Sequence, residues 1–242
     1  MKNKRASQLE IIISFSIFII FIVLLFLVIR PSKYNDERIS LVNDLKISFS
    51  EYIQTNLTTT TIIPNPGSVD PGKTCFSIDN LPETIGLKTV VKSEDRQNIP
   101  AIISGNKLII GAVGDLFYIN YNQHLEEESF TIPAQGCDDL ALGEYKVGLI
   151  KNLKFISLSK TLKTKEDMEN LANYNSLKAQ LGIPNNNDFT FFLRNTNNEK
   201  IVNAENLKDI GSNVEIYTEE FPISYIDEKA NIKQGWINIQ VW

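Results

Sequence analysis

Residues able to carry chemistry are few in this 242-residue chain. His124, in "NYNQHLEEES", is the only histidine, so a serine or cysteine triad would have to use it as the base, and no nucleophile-elbow pattern accompanies it. A surface histidine at a strand end is the simpler reading. Zinc needs several nitrogen or sulfur ligands, which one histidine and two separated cysteines do not supply. Glu126-Glu127-Glu128 and Cys137-Asp138-Asp139 could collect calcium if their loops converged, but neither has calcium-loop spacing, and solvated acidic turns account for both. Gly111-Ala112-Val113-Gly114 lacks a phosphate-loop or dinucleotide pattern and reads as a strand bend. Among 29 acidic residues some carboxylate pair will always be close, so glycoside hydrolysis gains no support from their number. The expectation is a non-enzymatic protein with no metal and no cofactor. Tyr118, Tyr121, Phe191, Phe192, Tyr217, Trp236 and Trp242 lie on strand-like runs, as core or as an exposed aromatic face for a sugar or partner.

The element with the strongest sequence signal lies near the start. Residues 11–29 form a 19-residue apolar run interrupted only by Ser14 and Ser16. As a helix the run would reach roughly 28 Å, close to the thickness of a bilayer's hydrocarbon core. It ends in Val28-Ile29-Arg30-Pro31, which offers no small-residue exit for a cleaved secretory signal. The expectation is a single membrane span with the lipid bilayer as partner; a buried soluble helix is the alternative. Hydropathy shows no second span, so the remaining 200-odd residues form a water-soluble part.

Charge narrows the partners. Of 24 basic and 29 acidic residues, five basic and one acidic lie at or before position 33, which leaves the rest of the chain at −9. A surface of that sign repels phosphate backbones, and nucleic-acid binding is not expected. Basic residues flank the span on both sides, so the positive-inside rule discriminates weakly. Cys75 and Cys137, the only cysteines, permit one disulfide; if paired they close a loop of about 60 residues, worth roughly 4 kcal/mol by chain entropy. Asn56-Leu57-Thr58 is a glycosylation sequon beside a threonine run. Together these favour a cell-membrane protein whose C-terminal part lies outside the cytoplasm, although free cysteines and a chance sequon would look the same.

Along the chain, Pro31 should kink or interrupt the helix. From Asp36 the pattern is helical again, with Ile39, Val42, Leu45, Phe49 and Ile53 recurring every three or four residues. The expected organisation is a basic leader at 1–10, a transmembrane helix at 11–29, an amphipathic stalk helix at 30–57, and a proline- and glycine-broken loop at 58–73. A β-rich part at 74–160 and an α+β part at 161–242 complete it. Short β-rich runs such as "LKTVVK", "KLIIGAV", "LFYINY", "YKVGLI" and "LKFISLS" predict antiparallel strands. One further helix is expected. Thr164-Lys165-Glu166-Asp167 resembles its capping box, Met168, Leu171, Tyr174, Leu177 and Leu181 form its stripe, and Gly182 with Pro184 forms its stop. Strand runs "DFTFFLR", "NVEIYTEEF", "ISYI" and "WINIQVW" follow, and the last must pair with a neighbour or form an exposed edge. The fold class expected is α+β.

The stretch "KRASQLEIIISFSIFIIF" resembles the N-terminal segment of archaeal type IV pilin-like proteins, which carry a class III signal peptide. Lys4 and Arg5 match the basic end of the leader, Ala6 the small residue at the processing site, and Glu10 the family glutamate. Alanine replaces the more usual glycine. Cutting after Ala6 leaves Glu10 fourth in the mature chain instead of fifth, whereas cutting after Arg5 restores the spacing without the small residue. The resemblance implies a helix that first anchors the precursor and then packs against other pilin-like subunits, leading into a β-rich head. It also implies that Glu10 meets the terminal amine of an adjacent subunit, a pair costly to leave half made in low dielectric. The alternative for Glu10 is a place at headgroup level. The C-terminal half ("YNSLKAQLGIP", "NDFTFFL", "GWINIQVW") is similar to stretches of uncharacterised archaeal membrane proteins that begin with such a segment, a likeness that implies no activity. A membrane-tethered module that binds a ligand or partner without polymerising is the alternative function.

Overall fold

A computed structural model of the chain describes residues 13–25, 33–79, 87–133, 136–204 and 214–242. The chain divides into two compact units, Met1–Leu41 and Val42–Trp242. The first contains a helix over residues 13–25, here α1. None of its side chains is buried, and ten of its eleven apolar ones are 42–64% exposed. Among the described residues no helix is long and apolar enough to cross a membrane. Positions 11–12 and 26–29 of the apolar run lie outside the described residues, as do Lys4, Arg5, Ala6, Glu10 and Pro31.

Helix α2 (Lys33–Ile53) follows. Its expected stripe is buried at Val42, Leu45, Phe49 and Ile53, while Ile39 is exposed. The Phe49 ring meets Phe191 at 4.6 Å and Phe189 at 6.4 Å between centroids. The helix stops at Ile53, four residues before the expected end at 57, and the next residue opens strand β1 (Gln54–Pro64). Positions 58–64 are therefore strand, not the start of a loop. Their four threonines and two isoleucines are β-branched and suit a pleated surface, and the prolines that suggested irregular backbone begin only at the strand's last residue. β1 is also central: it pairs with β10 (Lys151–Ser157) and β9 (Tyr145–Val147) on one side and with β7 (Phe117–Asn122) on the other.

The large sheet continues from β7 to β3 (Lys88–Ser93) and the short β4 (Asn98–Ile99). From β10 it runs outward through β13 (Tyr217–Ile226), β14 (Ile232–Val241), β11 (Phe189–Asn195) and β12 (Lys200–Ala204). A second sheet has the order β5 (Ala101–Ser104), β6 (Lys107–Ile110), β2 (Phe76–Ile78), β8 (Asp138–Leu140). Two pairings are parallel, β10 with β13 and β2 with β8, so the sheets are mixed and not wholly antiparallel. The runs "NVEIYTEEF" and "ISYI" form the single strand β13. Its Pro222 lies outside the two positions, Tyr225 and Ile226, at which β10 pairs, on a flank that a missing N–H can face. β14 is not an edge; it lies between β13 and β11.

Two helices, where one was expected, lie between β10 and β11: α3 (Leu158–Met168) and α4 (Leu171–Gln180). The supposed capping box falls inside α3. Its real N-cap is Ser157, whose hydroxyl accepts from Lys160 N, and a second cap, Asn170, accepts from Ala172 N and Asn173 N. Buried Thr161 and Thr164 bond back to the Ser157 and Lys160 carbonyls at 2.7 Å each, so polar residues sit inside a helix at little cost. α4 ends as its sequence indicates: Gly182 adopts φ +74°, and Ile183 N donates to Lys178 O at 2.9 Å.

Two clusters fill the faces of the β1, β7 and β3 region. Ile62, Val91, Phe117, Ile119 and Tyr121 meet Phe76, Ile78, Leu108 and Ile110 of the second sheet. On the opposite face Leu57 and Val90 pack with Leu125, Ile226 and Ala230. The observed class is mixed α+β: N-terminal helices, then a large mixed-sheet domain bearing two helices.

Candidate functional site

Beside the second cluster the same sheet face opens into a cleft. β1 supplies Thr59 and Thr61, β7 supplies Tyr118 and Asn120, β3 supplies Lys92, and the turn after β3 supplies Arg96. These side chains share one face by register: Thr59 lies opposite Asn120, Thr61 opposite Tyr118, and Lys92 opposite Tyr118. Lys151 and Leu153 of β10 form one wall with Leu149; Ala230, Asn231 and Ile232 of the β13–β14 turn form the other. The cavity volume is about 450 Å³, within the range of small-ligand sites.

Lys92 is only 5% exposed. Its Nζ donates to Asn231 Oδ1 at 2.6 Å and to Ala230 O at 3.2 Å, both neutral acceptors. Burial holds its pKa below the ordinary lysine value; Asp227 opposes this, while Arg96 and Lys233 push it down further. Asp227 is already committed to the turn, accepting from Lys229 N, Asn231 N, Asn231 Nδ2 and Lys233 Nζ. Burial works against its ionisation, but the Asn231 and Lys233 hydrogen bonds outweigh that and leave the carboxyl below its ordinary pKa.

The rim uses backbone that side chains seldom adopt. Three non-glycine residues among those described have positive φ, and two of them line the cleft: Arg96 at +62° and Ala230 at +54°. Left-handed backbone costs such residues roughly 1 kcal/mol or more. The return at Arg96 is a guanidinium laid over the Tyr118 ring, 3.7 Å from its centroid. The return at Ala230 is a carbonyl aimed at Lys92 Nζ.

The residues singled out in the sequence go elsewhere. His124 sits half-buried just past β7, its N–H on Asn122 Oδ1 and its ring beside Gln123 Nε2; burial first, then Lys160, Lys163 and Lys88, lower its pKa. Glu127 accepts from Thr89 N and Glu128 from Asn98 Nδ2, so two of the three glutamates support β3 and β4. Asp138 accepts from Asp70 N, and Asp139 accepts from Ser77 Oγ and Lys107 Nζ. Among the described residues no three His, Cys, Asp or Glu side chains are grouped to hold a metal ion. Gly111 and Gly114 lie in a bend after β6, where a Cβ at Gly111 would collide with Phe130 and Pro100 O. Cys75 and Cys137 are joined, with Cα atoms 4.8 Å apart, at the entries to the parallel pair β2 and β8. Asn56 is exposed but lies within β1, and the sequon's Thr58 hydroxyl donates to Asn152 Oδ1 at 2.6 Å. Of the aromatics, Tyr121 and Phe191 are core, Trp236 is 44% exposed, and Tyr118 alone lines the cleft.

The sequence reading missed Lys92, Arg96 and Lys151. One signal was available: "KTVVKS" puts a lysine inside a strand whose neighbours are β-branched and buried on both faces. Compared with known proteins, the chain matches no family model, no curated protein and no solved structure.

Proposed function

We propose that the protein is a membrane-anchored, extracytoplasmic structural protein without enzymatic activity, a pilin-like subunit or minor component of a surface assembly. The observation that carries this is α1: eleven apolar residues in thirteen, none buried by its own chain. An apolar rod of that kind calls for lipid or for helices of like subunits around it. The Cys75–Cys137 disulfide supports a head outside the reducing cytoplasm, in a single-pass protein of the cell membrane. The buried stripe of α2 against a β-rich head fits the long helix leading into a β-rich head that the pilin-like N-terminal segment implies.

The test uses the full chain in its native membranes. The protein should survive an alkaline wash with the membrane fraction, its head should be digested by protease added to intact cells, and crosslinking should yield a ladder that Glu10→Gln abolishes. Recovery in the soluble fraction without detergent, or a head digested only after lysis, overturns the proposal. A tethered, non-polymerising binding module is the second reading, favoured by the cleft over β1 and β7. A membrane-bound protein that crosslinks to no copy of itself decides for it.

A further inference from the structure

The cleft has a charge imbalance that its own residues do not remove. Lys92, Arg96 and Lys151 line it, and no carboxylate does. Among the described residues neither Arg96 nor Lys151 is paired with an acid, and the nearby Asp227 is spent on the turn and on Lys233. Three cations converge on one concavity in a head whose overall charge is negative. Lys92 is buried at the floor while Arg96 and Lys151 are exposed at the mouth, so the excess faces solvent, where water and salt weaken it without cancelling it. It attracts a small anion, while the acidic surroundings disfavour a long polyanion.

The remaining lining says what carries the anion. Thr59 and Thr61 offer hydroxyls, and Asn120, whose Nδ2 already donates to Val90 O, offers its amide oxygen, all suited to the hydroxyls of a polyol; Leu149 and Leu153 on one wall and Ile232 on the other offer apolar contact. Arg96 holds its guanidinium carbon 3.7 Å from the Tyr118 ring centroid, and a guanidinium can present two parallel N–H groups to an oxyanion. We propose that the cleft between the β1–β7–β3 face and the β13–β14 turn binds an acidic sugar, its oxyanion held by Arg96, Lys151 and Lys92 and its hydroxyls by Thr59, Thr61 and Asn120. The inference is independent of the anchor and of polymerisation.

Isothermal titration of the full chain in detergent tests it, with glucuronate, glucose 6-sulfate, glucose 6-phosphate, glucose and inorganic sulfate as probes. At least one acidic sugar should bind ten-fold or more tightly than both glucose and inorganic sulfate, and which one binds identifies the oxyanion as carboxylate, sulfate or phosphate. Lys151→Ala and Arg96→Gly should each weaken that binding at least ten-fold. Arg96→Gly should leave the thermal midpoint nearly unchanged, because the strain glycine relieves offsets the lost Tyr118 contact, so lost binding there is not lost folding. Failure of all three acidic sugars to bind, equal binding of glucose or inorganic sulfate, or affinity unchanged in the two variants overturns the assignment.

Discussion

The two ends of the large sheet are covered by different means. At the β11–β14 end helices do the covering: Phe49 of α2 meets Phe189 and Phe191, and Tyr174 of α4 stacks on Phe189 at 5.7 Å. No covalent link is involved, and the ladders are long, with ten residue pairs between β13 and β14 and seven between β11 and β14. At the β1–β7–β3 end the cover is a second sheet, whose pairing of β2 with β8 holds only three residue pairs between strands some 60 residues apart. Such a pairing gains little enthalpy for the loop it must close. That is where the disulfide lies, next to a backbone bond from Asp138 N to Cys75 O. Packing suffices where partners are many; where contacts are sparse and distant, a covalent tie offsets the entropy.

The largest effect should come from the helix-covered end. Phe191→Ala empties a fully buried position flanked by Phe49 and should cost about 3–5 kcal/mol, read as a lower urea midpoint. Replacing both cysteines, as Cys75→Ser with Cys137→Ser, should cost about 2–4 kcal/mol. Hydrogen exchange should then rise first at β2, β6 and β8 while β11, β13 and β14 stay protected; simultaneous loss at both ends would break the comparison. Asn170→Ala removes the cap that restarts the chain as α4 and should cost about 1 kcal/mol, confined to the helix-covered end. The smallest effect is one of pH. The folded chain holds His124 below its ordinary value of 6.5, so as pH falls through that value the unfolded chain takes up the proton first and stability declines. His124→Gln should flatten the change in urea midpoint between pH 7.5 and 5.5.

What could be read in the sequence cuts across that division. The α2 stripe, the stop at Gly182 and the pair of cysteines are local or nearly unique signals, and the structure holds each of them in an element or bond. β1 is hard to foresee because the prolines at its end outweigh the β-branched residues before them, and because a central strand's partners are invisible in a single window. The break between α3 and α4 is hidden by a continuous apolar stripe, across which Asn170 starts a second helix. The cleft is illegible for another reason. Its residues come from five separated stretches, and the lysine inside "KTVVKS" signals an odd strand position without showing that the β13–β14 turn closes over it.

Helix α2 gives way to β1 at Gln54 with no connecting loop. Tension drawn along the helix is borne first by its own packing on Phe189 and Phe191, and once that gives way it passes to a strand hydrogen-bonded along both edges, to β10 and β9 on one flank and β7 on the other. Two ladders share the load, and neither peels from a free margin. After the helix detaches, mechanical failure of the large sheet thus requires pulling out a middle member, an abrupt rupture of two ladders at once.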